Sequence, residues 1–204
     1  MKSISIYAVT RNQNIGQLQK LERQLSGREY FLKMRTWELE SMKSLVRELE
    51  AHMDEVYALR FFYSFQIPRL GKEFDLLQIK DEQIVNIELK SGAVSDETIR
   101  KQLIQNRYYL SVLGRPIYSY TYISSQNRLV RLTNHDHIVE ADWLMPTLGM
   151  VDMDDYESLQ YFQRVLRQSV DLACGGENGQ QNGQVEGGPG LARVRRGEVD
   201  RQAR

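Results

Sequence analysis

The chain has 204 residues, 41% of them hydrophobic, with 27 basic and 27 acidic side chains and a formal net charge of zero. That size fits one α/β domain with a real core, and the neutral balance leaves any nucleic-acid affinity to a local patch rather than to the field of the whole protein. A single cysteine, Cys174, excludes an intrachain disulfide and a Cys-based zinc cluster, His52, His135 and His137 lack zinc spacing, and no apolar run approaches a membrane span. Met1-Lys2-Ser3-Ile4-Ser5-Ile6 lacks the apolar stretch of a secretory signal, so a cytoplasmic protein is expected.

Residues 1–35 read as an N-terminal extension, with a short helix over Ile15 to Leu25 and a segment from Glu29 to Met34 that leads into the next element. Trp37 to Tyr57 is the longest helical pattern; Met42, Leu45, Val46, Leu49, Met53 and Val56 recur at spacings of three and four. Arg60 to Ile67 is a core strand stopped by Pro68.

The next stretch carries the chemistry. Glu73-Phe74-Asp75-Leu76-Leu77-Gln78-Ile79 and Ile84-Val85-Asn86-Ile87-Glu88-Leu89-Lys90 flank the polar segment Lys80-Asp81-Glu82-Gln83, a hairpin pattern. A turn centred between Asp81 and Glu82 pairs Ile79 with Ile84, which sets Asp75 opposite Glu88 and Glu73 opposite Lys90. Directly opposed residues have Cβ atoms roughly 4.5–5.5 Å apart and share a face. Two carboxylates that close repel unless a proton or cation lies between them. A hard divalent ion such as Mg²⁺ takes oxygen ligands, and with Lys90 beside it the set is equipped to hydrolyse a phosphodiester. The same spacing also describes an ordinary hairpin whose polar end carries a Glu73–Lys90 pair and two solvated acids.

A helix follows from Ser95 to Leu113, with Ser95 as N-cap and Asp96 and Glu97 in the first turn, where the helix dipole favours acids. Its core stripe is Ile99, Leu103, Asn106, Leu110 and Leu113, bordered by Gln102, Gln105 and Tyr109. Ile117 to Ile123 is a strand, and Arg128 to Leu132 and His137 to Ala141 are shorter edge strands. Asp155 to Ala173 reads as a last amphipathic helix. Residues 174–204 are rich in Gly, Gln and Arg and hold no aromatic residue, a composition expected to stay disordered.

Asp75, a gap, then Glu88-x-Lys90 on an apolar strand resembles the PD-(D/E)xK phosphodiesterase superfamily. Phe74 stands where that family usually has proline. The resemblance implies an α/β domain over 36–173 with a restriction-endonuclease-like core: a mixed central sheet flanked by helices, in the order helix, three strands, helix, strand. It implies a metal-dependent nuclease acting on nucleic acid, DNA first, in repair or phage defence. Asp75, Glu88 and the Leu89 backbone carbonyl would bind Mg²⁺ or Mn²⁺, with Glu38 or Glu50 as a first-helix carboxylate. Lys90 would orient the attacking water. Gln105-x-x-x-Tyr109 resembles the family's Gln-x-x-x-Tyr element, and Gln102 and Asn106, also four apart, are alternatives for lining the substrate. Similar domains occur fused to helicase or ATPase modules, which makes such a module a candidate partner; this sequence holds no Gly-x-x-x-x-Gly-Lys-Ser/Thr phosphate loop. A nuclease fold that no longer cuts and serves as an adaptor is the alternative.

Overall fold

The computed structural model describes residues 1–11, 14–67, 70–80 and 82–143. The expected helix from Asp155 to Ala173, the 174–204 tail, Pro68 and Asp81 lie outside the described residues. Ile4, Ile6, Val9, Leu18, Leu32 and Met34, all from before Thr36, are packed into the same core cluster as the helix and sheet that follow. Strand β1 (Ile4–Ser5) and helix α1 (Ile6–Thr10) bury Ile4, Ile6 and Val9; Ser5 caps α1 by accepting the Ala8 N–H. Helix α2 (Ile15–Ser26) is capped by Asn14, whose side chain accepts the Gln17 N–H at 3.1 Å, and ends at Gly27, left-handed at φ 66°, where glycine carries no steric cost. Neither β1 nor α1 had been expected, because elements of two and five residues are too short to show a period.

Helix α3 (Thr36–His52) buries Met42, Leu45, Val46 and Leu49 of the expected stripe, and Leu39 besides; Met53 and Val56 of that stripe lie beyond its end. It stops short of Tyr57 because Met53 turns extended at φ −149°, and a separate 3₁₀ turn covers Val56–Ala58. Then come β2 (Arg60–Gln66), β3 (Glu73–Ile79), β4 (Ile84–Lys90), helix α4 (Asp96–Leu110), β5 (Ile117–Ile123), β6 (Arg128–Leu132) and β7 (Ile138–Glu140). Ser95 caps α4, accepting the Thr98 N–H at 3.3 Å. The fold is a mixed α/β one. Among the described residues seven strands form one sheet in sequence order, antiparallel throughout except that β4 and β5 are parallel, joined by the α4 crossover. Among the described residues no helix is long and apolar enough to cross a membrane.

The two long helices cover opposite faces. Val85, Ile87 and Leu89 of β4 share a cluster with Leu39, Met42 and Leu45 of α3, while Ile84 packs with Leu110 of α4. Even-numbered β4 residues therefore face α4, Glu88 among them. In β2 and β3 this alternation breaks. Phe61 and Tyr63 belong to the α3-side cluster, yet Phe65 lies with Phe62 in the other; across the ladder Leu76 is on the α3 side and Phe74 is not. The break falls at Ser64, a non-glycine residue at φ 49°, whose counterpart in the register is Asp75. Asp75 thus sits at the seam between the two helical layers.

Candidate functional site

Ile79 pairs with Ile84 and Leu76 with Ile87, as expected. Past Leu76 the regular pairing ends and Phe74 and Leu89 lie in different clusters, so the expected placement of Glu73 opposite Lys90 is not continued, while Asp75 and Glu88 stay close enough for their charges to act on each other. Lys80 N–H donates to the Gln83 carbonyl at 2.9 Å and closes the turn. At the open end the Leu89 N–H leaves the regular ladder and donates to Asp75 Oδ2 at 2.8 Å. The N–H and C=O of a strand residue point to the same edge, so the Leu89 carbonyl also points toward β3.

Glu88 is 2% exposed. Asn106 Nδ2 donates to its Oε1 at 2.7 Å, and Gln102 Nε2 donates to its Oε2. Both partners are neutral amides; they satisfy the oxygens without cancelling the charge. Burial, reinforced by the negative charge of Asp75, pushes the Glu88 carboxyl up to about 7, against the pull of Lys90 and Lys72. Burial likewise holds Asp75 above the usual carboxylate range, opposed by the Leu89 N–H and Lys90. Between them, the two groups carry more negative charge than their surroundings readily hold.

Of the two first-helix candidates, Glu38 reaches this region and Glu50 does not. Glu38 accepts the Tyr63 hydroxyl at 2.7 Å, and burial raises its pKa, with Asp75 and Glu73 adding repulsion. Glu50, near the far end of α3, forms an exposed ion pair with Arg11. Among the described residues no group of three or more His, Cys, Asp or Glu side chains lies close enough to hold a metal ion. Glu38 stands in the field of Asp75 without joining it in such a group.

On α4 the structure selects one of the two four-residue pairs. Gln102 and Asn106 touch Glu88; Gln105 is exposed, and Tyr109 is half-buried against the cluster of Phe62, Phe74 and Leu77. No Glu73–Lys90 ion pair forms among the described residues; Glu73 instead accepts from Ser64 Oγ and, at 3.4 Å, from Gln66 Nε2.

Three further residues shape the site. Lys72 sits in the field of Glu88, Asp75 and Lys90, and burial lowers its pKa. Its place one residue before the acidic strand was the available signal. Ser64 and Arg28 gave none: a left-handed serine in mid-strand has no sequence signature. Arg28 holds that serine in place. It is 7% exposed, pairs with the fully buried Glu22 at 3.1 Å, and donates to the Tyr63 carbonyl at 2.7 Å and to the Ser64 carbonyl at 3.4 Å. A positive φ on a non-glycine residue costs about 1 kcal/mol or more and persists only where the surroundings enforce it. Arg28 supplies that enforcement from residues that precede α3.

No protein-family model matches the chain. A stretch of 48 residues is 40% identical to the GTPase Obg of Acetivibrio thermocellus, covering 24% of this chain and 11% of that protein. The chain therefore spans about a tenth of that relative's length, an overlap that carries neither a family nor an activity to this chain.

Proposed function

We propose that the chain is a metal-dependent nuclease of the PD-(D/E)xK type. One observation carries the reading: Asp75 is held against β4 by the Leu89 N–H and lies in the field of Glu88, both carboxyls with raised pKa values, in the field of Lys90 and Lys72. The order α3, β2, β3, β4, α4, β5, with β4 and β5 parallel, supports a restriction-endonuclease-like core.

The residues present fit a hard divalent cation. Asp75, Glu88 and the Leu89 carbonyl offer only oxygen, and Mg²⁺ commonly takes one or two carboxylates and keeps several waters. Glu38 is the acid on α3 that lies in their field. Such an ion, when bound, polarises a phosphodiester and makes hydroxide available near neutral pH. The chain's own residues do the rest. Gln102 and Asn106 fix the Glu88 rotamer through both oxygens. The Leu89 N–H fixes Asp75. Lys90 orients the attacking water and offsets charge that builds on the phosphate oxygens, and Lys72 adds a second cation on the same side.

Cleavage of single- and double-stranded DNA with and without Mg²⁺ tests this. Lys90→Ala is expected to lower the rate by about a hundredfold, the usual scale for removing one group that stabilises transition-state charge, with an unchanged melting curve. A wild-type chain that cleaves neither DNA nor RNA with any divalent ion would sink the proposal. One observation favours the second reading, an adaptor that binds nucleic acid without cutting: both Glu88 oxygens already accept an amide N–H. Each oxygen has a further lone pair, so this engagement does not by itself bar a cation.

A further inference from the structure

Beside Asp75 a groove of about 330 Å³ runs outward past Glu38 between the start of α3 and the segment before it. Its outer wall is built from a short run of chain. Between Tyr30 and Trp37, Leu32 and Met34 are buried, while Phe31, Lys33 and Arg35 are exposed. The alternation sends apolar groups into the core and lines the groove with an aromatic ring followed by two cations. Tyr30, Phe31 and Trp37 are 54%, 55% and 40% exposed, unusual for rings this large. All three already carry arginines: Arg28 lies over Tyr30 at 5.3 Å, Arg23 over Phe31 at 4.5 Å and Arg35 over Trp37 at 5.9 Å.

We infer that this groove binds single-stranded nucleic acid and leads an unpaired strand to Asp75, at the seam between the two layers. The inference deepens the nuclease reading and rests on it for the direction of the strand, though not for its binding. Rings interleaved with cations suit single strands, because unpaired bases stack on the rings while phosphates meet Lys33 and Arg35. A duplex keeps its base faces stacked inside and cannot use the rings. The charge order also fits. Lys33 and Arg35 are exposed, where bare phosphates arrive; of the acids that line the groove Glu73 is exposed too, whereas Glu38 is buried and Asp75 half-buried, where a metal ion would meet the phosphate to be cut. Neutral net charge is compatible with such a local patch.

The test measures fluorescence anisotropy of labelled oligothymidylate, oligouridylate, a duplex of the same length, and polyglutamate, with the full chain and with its Asp75→Asn variant in EDTA. Expected is at least a tenfold preference for the two single strands over duplex and polyglutamate. Phe31→Ala with Trp37→Ala should weaken single-strand binding by about tenfold or more, since stacking contributes about 1–3 kcal/mol per base. Lys33→Glu should weaken it and flatten its salt dependence. These side chains are exposed, and circular dichroism checks that the variants remain folded. Equal affinity for duplex or polyglutamate, no affinity for either single strand, or undiminished binding by folded Phe31/Trp37 variants each overturns the inference. Cleavage is read separately. A chain that cuts but shows no ring-dependent single-strand preference loses only this inference; one that shows the preference but never cuts loses only the nuclease reading.

Discussion

α3 and α4 lie on opposite faces of one sheet and meet its acids in opposite ways. From α4 come two neutral amides, Gln102 and Asn106, that hold both oxygens of Glu88. From α3 comes another acid, Glu38, held by the Tyr63 hydroxyl, whose own proton burial and Glu38 keep tightly bound. Amides position a carboxylate and leave its charge intact; a third acid adds to the charge. Neither helix supplies the counter-charge that two opposed carboxylates need. That falls to Lys90 and Lys72 from the strand ends, and to any bound cation. The side facing α4 is built for geometry, the side facing α3 for negative potential.

Making α4 resemble α3 is the most damaging way to break the comparison. Asn106→Asp sets a carboxylate against Glu88 at a position that is 0% exposed. Above about pH 7 it should cost roughly 3 kcal/mol or more of stability, the scale of an uncompensated buried charge. The pH dependence has a definite sign. Folded Glu88 keeps its proton up to about 7, whereas the ordinary value is 4.5. The folded chain thus binds the extra proton between those values, so the stability linked to that proton is full below about 4.5 and lost as pH rises through about 7. The variant should widen this loss, and urea titrations at the two ends of the window would read it. Equal stability at both ends would mean that the charge is compensated elsewhere.

A smaller effect sharpens the account of the opposed pair. Asp75→Asn removes one of two repelling acids, so the metal-free chain above pH 7 should be as stable or about 1 kcal/mol more stable, while stabilisation by Mg²⁺ disappears. Thermal melts with and without Mg²⁺ decide; marked destabilisation with an intact Mg²⁺ response would assign Asp75 a structural role.

The smallest effect separates the two glutamines of α4. Gln102→Ala frees one oxygen of Glu88 and should slow cleavage by about tenfold, since a hydrogen bond to a charged group contributes about 1.5–3 kcal/mol. Gln105→Ala, at an exposed position, should change the rate less than about twofold. Parallel rate measurements on the two variants suffice, and equal losses would return Gln105 to the site.

The β3–β4 register was legible because it rests on local features: apolar residues at Ile79 and Ile84 and a four-residue polar turn leave one pairing that buries both strands. Ile99, Leu103, Asn106 and Leu110 of the α4 stripe were legible for the same reason; Leu113 falls past the end of the helix in a 3₁₀ turn. Which of the neighbouring pairs, Gln102/Asn106 or Gln105/Tyr109, meets Glu88 depends on how α4 is rotated about its axis over the sheet, and packing sets that angle. The choice between Glu38 and Glu50 likewise waits on which end of α3 lies over the open end of the hairpin. Ser64 and Arg28 were illegible in a stronger sense, since a strained strand residue and its buried clamp have no pattern at all. The clamp residue Arg28, and Ile4, Ile6, Val9 and Leu18 of the core, come from the stretch that reads as an extension.

The span of these contacts also implies an order of assembly. The bonds from Gln102 and Asn106 to Glu88 close loops of 14 and 18 residues, whereas Arg28 reaches the Tyr63 carbonyl across 35. Shorter loops cost less chain entropy to close, so the hairpin and α4 can condense before the clamp docks. On this ordering the acids come together before Ser64 is locked, and Arg28 acts as a late latch that governs how fast the finished seam comes apart rather than how fast it forms.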